Sequence, residues 1–238
     1  MKTLITGGCS FSECRSHAGT WPRHLALALP NHTHISTAMG SQGNGLISRR
    51  IIYQVSEQLK ISDATDILVG IMWSGPDRHD YYQLHNKPLE NQDGWMENPT
   101  QFVSGGEGAW TICSSGWRMA QSANYFVNFH DRIGQYIYTV EHILRTQWFL
   151  QQHCVPYFMT CYMAAVLPEI VSTHNDTKYL YRMIDFDQFL PVSGEYEWCR
   201  DCSGLPFPTA TDPHPSVLQH QAFTYHVILP YLKERNII

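Results

Sequence analysis

A serine near the start of the chain lies where acyl-transfer chemistry would need a nucleophile. Ser10 follows the glycine pair Gly7-Gly8, and an apolar run at residues 4–6 precedes the pair. The glycines tolerate backbone angles that a side chain would block, so the chain can turn sharply there. The free N–H groups of a following helix would favour an oxyanion beside Ser10. A serine on such a turn can equally cap a helix, and the turn alone leaves both interpretations open.

A histidine near the C-terminus has the surroundings of a general base. His214 lies between Pro213 and Pro215, and proline fixes φ and favours an extended chain. In an extended chain residues i and i+2 point to the same side, so Asp212 can accept a hydrogen bond from His214 Nδ1. His214 would then take the proton of Ser10. The alternative is a loop histidine that is bonded to the backbone.

Acyl transfer also needs donors for the oxyanion, and loops after the predicted strands offer them. The backbone N–H of Ser10 is one candidate. The others are the N–H of a glycine and a side-chain donor in the next loops: Gly40 or Gly43, and Asn44 or Ser74. Arg78 is a candidate for holding a carboxylate or phosphate of the substrate, or it pairs with an acid of the chain itself.

The pattern of apolar residues predicts a scaffold that brings these distant segments together. Strands are expected at residues 2–6, 32–39, 66–72 and 155–163. Helices are expected from Thr20, over 47–59 and 133–148, and after Ser216, which would cap the last helix. This alternation predicts an α/β fold, a three-layer α/β/α sandwich with a central parallel sheet. Ser10, Gly40 and Ser74 follow predicted strands, so they should gather at one edge of the sheet.

Two stretches lack a regular pattern. Residues 79–128 are rich in glycine, asparagine and aromatic side chains, and residues 164–200 are irregular apart from a helix near 178–183. We expect one domain, residues 1–238, with 79–128 as an irregular aromatic-rich insertion. The insertion would cover the active site, bind a ligand by stacking, or form a subunit interface.

Composition excludes several classes of function. The net charge is −5 without a basic stripe, which argues against nucleic acid as a partner. No apolar run reaches about 18 residues, so no membrane span is expected. The start enters a strand without a signal-peptide core, which predicts a cytoplasmic or virion-associated protein. The seven cysteines are expected to be reduced. The pair Cys199 and Cys202 lacks further ligands at metal spacing, so buried thiols or a loop crosslink are expected there and not a metal site. No other cofactor is expected.

Four short segments, in order along the chain, resemble the sequence blocks of the SGNH (GDSL-type) hydrolases. They are Gly8-Cys9-Ser10-Phe11-Ser12, the glycine loop at 40–44, the strand ending at Trp73, and Asp212-Pro213-His214-Pro215. The chain is most similar to the divergent group of phages and some bacteria, with a Gly-Cys-Ser-Phe start followed by Trp-Pro.

The resemblance implies a flavodoxin-like sandwich and the hydrolysis of esters of lipids, carbohydrates or other small acyl groups. It makes Ser10 the nucleophile, and Asp212 and His214 the acid and the base. It also implies an oxyanion hole built from the Ser10 N–H, a glycine of the second block and an asparagine of the third.

The chain departs from the family pattern in two places. The third block, Trp73-Ser74-Gly75-Pro76-Asp77-Arg78, has no asparagine, and loss of one oxyanion donor typically costs roughly 10²–10³ in rate. The family's acid stands three residues before the histidine, whereas Thr211 occupies that position here and Asp212 is one residue later.

These observations lead to two hypotheses. The first is a serine-dependent esterase or acetylesterase that acts on an acylated small molecule or carbohydrate. The second is a non-catalytic binding or structural module of virion type that retains the fold. A homo-oligomer or a virion assembly is compatible with both.

Overall fold

The computed structural model describes residues 2–13, 19–84, 98–99, 108–114, 120–209 and 211–238. Within these ranges the strands are β1 (Lys2–Gly7), β2 (His32–Ser36), β3 (Ile67–Trp73), β4 (His79–Leu84), β5 (Asn98–Pro99), β6 (Gly108–Cys113) and β7 (Tyr157–Cys161). The helices are α1 (Trp21–Ala28), α2 (Asn44–Gln58), α3 (Ala120–Asn128), α4 (Arg132–Gln152), α5 (Glu169–Thr173), α6 (Lys178–Tyr181), α7 (Glu195–Asp201), α8 (Val217–Phe223) and α9 (Leu229–Glu234).

A parallel sheet of four strands, in the order β2-β1-β3-β7, forms the middle layer. Every residue of β3 is buried, as expected of a strand with a neighbour on each side and a helical layer on each face. The more polar β2 lies at the edge of the sheet. The predicted parallel sheet, with 66–72 as its central strand, is therefore confirmed.

Alternate residues of the strands face two separate apolar layers. On one face Val69 and Ile71 of β3 pack with Ile51 of α2 and Ile143 of α4. On the other face Leu4, Leu68 and Met72, together with Phe158 of β7, pack with α1 through Trp21 and with the C-terminal helical stretch through Phe223 and Ile228. The result is the predicted three-layer α/β/α sandwich.

The last helical stretch contains a turn of π-helix, Thr224–Ile228, between α8 and α9. Pro230 follows this turn, and proline lacks an N–H and clashes with the carbonyl four residues before it in a regular helix. The wider π turn relieves that clash and lets the helix continue. Ser216 caps α8 as predicted, and Gln219 completes a capping box.

The stretches expected to be irregular contain regular elements where the structure describes them. Within 79–128, β4, β6 and β5 form a small antiparallel sheet in the order β4-β6-β5, and α3 follows. Tyr82 lies opposite Trp110 in this sheet, with their ring centroids 5.6 Å apart. Such aromatic cross-strand pairs stabilise strands whose sequence shows no alternation. Residues 85–97, 100–107 and 115–119 of the proposed insertion lie outside the described ranges.

Residues 164–200 are also more regular than expected, since α5 and most of α7 lie within them. Glu195 and Glu197 stand in the first turn of α7 and Arg200 in its last, which suits the helix dipole. In the ranges given above, no helix combines the length and apolar character needed to cross a membrane.

Candidate active site

Ser10 lies just beyond the carboxyl end of β1, on a turn that only glycine can precede. A Cβ on Gly8 would lie 3.1 Å from the carbonyl oxygen of Met72 and 2.4 Å from Ser12 Oγ. The Ser12 N–H closes the turn on the Cys9 carbonyl at 2.9 Å. These two close approaches explain Gly8, and a Cβ on Gly7 would lie 2.8 Å from Ile51 Cδ1, which explains the first glycine of the pair.

The helix expected directly behind Ser10 is not seen among the described residues. The next helix there is α1, whose N-cap is Thr20, so neither Ser10 nor Ser12 caps it. Ser12 Oγ is buried and accepts a hydrogen bond from Trp21 Nε1 at 2.9 Å. Ser12 thus has a structural task, whereas Ser10 is partly exposed.

Ser10, His214 and Asp212 form one continuous chain of hydrogen bonds. Ser10 Oγ lies 2.7 Å from His214 Nε2, and His214 Nδ1 lies 2.6 Å from Asp212 Oδ1. With Nδ1–H donating to the carboxylate, Nε2 is left as the acceptor for the serine proton. The ring of Phe11 packs against the imidazole, with centroids 4.9 Å apart.

The local geometry at Asp212 differs from the extended chain that we predicted. Asp212 Oδ1 also accepts the backbone N–H of His214 at 2.9 Å, which is an Asx turn. Thr209 Oγ1 accepts a hydrogen bond from the backbone N–H of Asp212 at 3.0 Å, which fixes the start of this turn. This turn lets an acid two residues before the histidine reach the ring.

The two glycine N–H groups proposed for the oxyanion hole both donate to carboxylates. The N–H of Gly40 donates to Glu13 Oε2 at 3.0 Å, and the N–H of Gly43 donates to Asp80 Oδ1 at 2.9 Å. No acceptor for the backbone N–H of Ser10 is found in the described part of the chain. In this arrangement the Ser10 N–H is available to an oxyanion, and the glycine donors are engaged elsewhere.

Asp80 caps α2 from the neighbouring small sheet. Its second oxygen accepts the N–H of Leu46 at 2.9 Å, so the carboxylate satisfies two orphan donors at the start of the helix. Burial raises the pKa of Asp80 to about 6, against the lowering effect of these two hydrogen bonds. A Cβ on Gly43 would lie 2.6 Å from Asp80 Oδ2, which explains the glycine.

Asn44 and Ser74 are brought together, but the amide of Asn44 is not free. Asn44 Nδ2 donates to the Ser74 carbonyl at 2.9 Å, and the Ser74 N–H donates to Asn44 Oδ1 at 2.7 Å. Thr139 Oγ1 also accepts from Asn44 Nδ2, at 3.3 Å. Asn44 therefore fixes the loop after β3, and this does not fit its proposed task as an oxyanion donor.

The hydroxyl of Ser74 is oriented by Arg78. Arg78 donates to Ser74 Oγ at 2.6 Å, which leaves the proton of the Ser74 hydroxyl to donate elsewhere. The Arg78 guanidinium also lies 5.6 Å from the centroid of the Tyr162 ring. Burial raises the pKa of Tyr162 to about 12, against the opposing effect of Arg78.

Sequence reasoning missed four residues of this site: Glu13, Asp80, Tyr162 and Thr209. Tyr162 directly follows β7, so the rule that sites form at the carboxyl ends of parallel strands would have found it. The other three act through contacts that no spacing in the sequence reveals.

The cysteines and possible metal ligands do not extend this site. Cys199 and Cys202 are both thiols, the first buried and the second exposed, so they do not form a disulfide. In the described ranges, no group of three or more His, Cys, Asp or Glu side chains could hold a metal ion.

Comparison with known proteins places the fold. The chain matches the crystal structure of TesA with a TM-score of 0.54 and 10% sequence identity, over 100% of each chain. This likeness confirms the predicted fold class, a three-layer α/β/α sandwich with a central parallel sheet. No protein-family model matches the chain, and no curated protein matches it significantly.

Proposed function

We propose that this protein is a serine-dependent ester hydrolase in which Ser10 is the nucleophile, His214 the general base and Asp212 the acid. The observation that carries the proposal is the hydrogen-bond chain, 2.7 Å from Ser10 to His214 and 2.6 Å from His214 to Asp212. These distances fall within the reach that proton transfer needs before substrate binds. The SGNH-type fold is compatible with the same chemistry.

The reaction follows from the positions of these atoms. Ser10 Oγ attacks the ester carbonyl carbon while its proton passes to His214 Nε2, and Asp212 stabilises the imidazolium. The oxyanion accepts the Ser10 N–H, and the Ser74 hydroxyl oriented by Arg78 is the second donor that we propose. The imidazolium then protonates the leaving alcohol. Water, activated by the same histidine, hydrolyses the acyl-enzyme and regenerates Ser10.

The substrate that we propose is an acylated small molecule or carbohydrate, such as an acetyl ester. This assignment rests on the resemblance of the four sequence blocks and on the aromatic side chains near β4 and β6. A cytoplasmic or virion-associated location, and a place in the phage and bacterial group, remain predictions of the sequence.

The test is covalent labelling with a fluorophosphonate probe. Wild type should be labelled, whereas Ser10→Ala should not, and His214→Asn should be labelled far more slowly because the serine loses its base. Ser193→Ala is the matched control, since Ser193 is exposed and lies outside the site. A panel of short acyl esters and acetylated glycans then measures turnover. Equal labelling of wild type and Ser10→Ala, or none of folded wild type, contradicts the proposal.

One observation favours the second candidate, a binding or structural module that retains the fold. The N–H groups of Gly40 and Gly43 are engaged by Glu13 and Asp80, which leaves fewer donors for an oxyanion. If the protein is such a module, the Ser10→Ala variant should bind the partner, a glycan or a virion component, as well as wild type does. Ester hydrolysis that wild type shows and Ser10→Ala lacks decides against this second candidate.

A further inference from the structure

A cavity of about 270 Å³ lies between the start of α2, the loop after β3 and the middle of α4. Its volume corresponds to several water molecules at roughly 30 Å³ each, enough for a small ionic group with part of its hydration. Asn44 and Arg78 line this cavity as well as the loop that holds Ser74. Ser10, His214 and Asp212 do not line it.

Cationic side chains dominate the cavity. Arg49 and Arg78 line it, and Arg145 lies close by, donating to Ser48 Oγ at 3.1 Å and toward the Gly45 carbonyl at 3.5 Å. Among the residues that the structure describes, no carboxylate lies within ion-pair distance of Arg49 or Arg145. Asp80, which also lines the cavity, already accepts two backbone N–H groups of α2. Positive charge is therefore in excess.

Two nitrogen atoms converge at the start of α2. A Cβ on Gly45 would lie 3.0 Å from an Nη atom of Arg49, 3.1 Å from His142 Nε2 and 3.4 Å from Asp80 Oδ2, so the two nitrogen atoms and this carboxylate oxygen face one point beside the helix. Glycine leaves that point open. The guanidinium carbon of Arg49 lies 4.6 Å from the centroid of the Trp110 ring, and this stacking leaves the in-plane N–H groups available to a ligand.

Burial and the nearby positive charges lower the pKa values of two basic side chains at the cavity, His142 and Arg145. Burial lowers the pKa of His142 to about 3, and Arg145, Arg49 and His79 add to the effect. Burial and the charge of Arg49 likewise lower the pKa of Arg145. His142 is thus a neutral imidazole at pH 7 that can donate one N–H to a ligand. An anion in the cavity would relieve the repulsion among these cations.

We propose that this cavity binds a phosphate or carboxylate group, held by Arg49 and His142 with Arg145 and Arg78 as further positive charges. The group is either a free anion or an acidic substituent of the ester substrate. In the second case the cavity would anchor the substrate beside the loop of Ser74, because Asn44 and Arg78 line the cavity and also contact Ser74. Only the second source rests on the proposed function.

The first experiment measures binding without catalysis. Inorganic phosphate is titrated into the whole protein at pH 7.5 and constant ionic strength, by calorimetry and by thermal shift. Wild type and the control Arg182→Gln, an exposed arginine outside the cavity, should bind phosphate saturably with a raised melting temperature. Arg49→Gln should weaken binding at least tenfold. Arg49 is exposed, so this variant is expected to fold, and its melting curve without phosphate checks that.

His142→Gln keeps the proposal testable by a second route. This substitution should weaken phosphate binding several-fold, because the amide N–H of glutamine does not occupy the position of the imidazole N–H of His142. No saturable binding by folded wild type, or equal binding by wild type and Arg49→Gln, overturns the proposal.

The second experiment identifies the source of the anion. Two acetyl esters that differ only in a carboxylate on the alcohol are compared with wild type, Arg49→Gln and Arg182→Gln. If the substrate carries the anion, Arg49→Gln raises KM for the acidic ester at least tenfold and leaves the neutral ester unchanged. If the anion is free, phosphate binding depends on Arg49 while both esters behave alike. Phosphate binding without any ester hydrolysis supports the cavity and contradicts the proposed function.

Discussion

The replacement of Asp212 by asparagine tests how the histidine is oriented. A single carboxylate oxygen, Oδ1, accepts both the backbone N–H of His214 at 2.9 Å and the ring Nδ1–H at 2.6 Å. An asparagine side chain can present its own oxygen to both donors. Asp212→Asn should therefore retain the Asx turn and the tautomer of His214 while it loses the negative charge.

The expected cost follows from Coulomb's law for that charge. With charge centres about 4 Å apart, the attraction to an imidazolium is about 1 kcal/mol in water and about 4 kcal/mol at an effective dielectric constant of 20. Asp212 is 47% exposed and His214 34%, which places the pair nearer the aqueous limit. We therefore expect kcat/KM to fall by roughly 10- to 100-fold, at about 1.4 kcal/mol per tenfold. Asp212→Ala also loses the turn and should fall further.

The assay is steady-state hydrolysis of a short acyl ester together with the rate of fluorophosphonate labelling. The variants are Asp212→Asn, Asp212→Ala and Ser10→Ala, with melting temperatures to confirm folding. Asp212→Asn should lie clearly between wild type and Asp212→Ala. An Asp212→Asn protein as inactive as Ser10→Ala would refute the single-oxygen argument. Full activity of Asp212→Ala would show that the carboxylate has no part in catalysis.

Three further predictions concern stability. Ser12→Ala leaves the buried Nε1–H of Trp21 without its acceptor, so we expect a loss of about 1–3 kcal/mol in a denaturant melt while probe labelling of the folded protein persists. The pKa of Asp80 is raised in the folded state to about 6. The carboxyl group therefore keeps its proton up to a higher pH in the folded protein than in the unfolded chain. Stability should therefore fall as pH rises from about 4 to 6, by about 1–3 kcal/mol, and Asp80→Asn should lack this step; equal pH profiles would contradict it. His220→Ala removes the partner of the buried Glu195, 2.7 Å away, and should cost about 3–5 kcal/mol in the same melt at pH 7, whereas an unchanged melt would refute the pairing.

The positions of the strands and of the site loops could be predicted because they depend on local patterns. The apolar run that became β3 indicated a strand buried on both faces, and its neighbours follow the α/β alternation. Once the sheet is parallel, the loops after β1 and β3 must meet at one edge. Ser10 and Ser74 were therefore expected near each other. His214, 204 residues after Ser10 in the chain, has its ring 2.7 Å from the serine hydroxyl.

The partners of the backbone N–H groups could not be predicted in this way. Gly40 is paired with Glu13 and Gly43 with Asp80, across separations of 27 and 37 residues. A carboxylate carries no periodic signal, and its reach depends on the path of a loop that only the folded chain defines. The antiparallel sheet of β4, β5 and β6 was missed for a similar reason, since its strands pair across a stretch with no regular alternation.

The efficiency of this site depends on its donors more than on its nucleophile. Ser10, His214 and Asp212 are within hydrogen-bond distance of one another, whereas Gly40 and Gly43 have their N–H groups on carboxylates. Each missing oxyanion donor typically costs roughly 10²–10³ in rate. Such a site would turn over esters slowly, yet an irreversible phosphonate label, which accumulates with time, would still reach completion on the serine. Slow turnover with complete labelling therefore separates a reduced oxyanion hole from a site that has lost its chemistry.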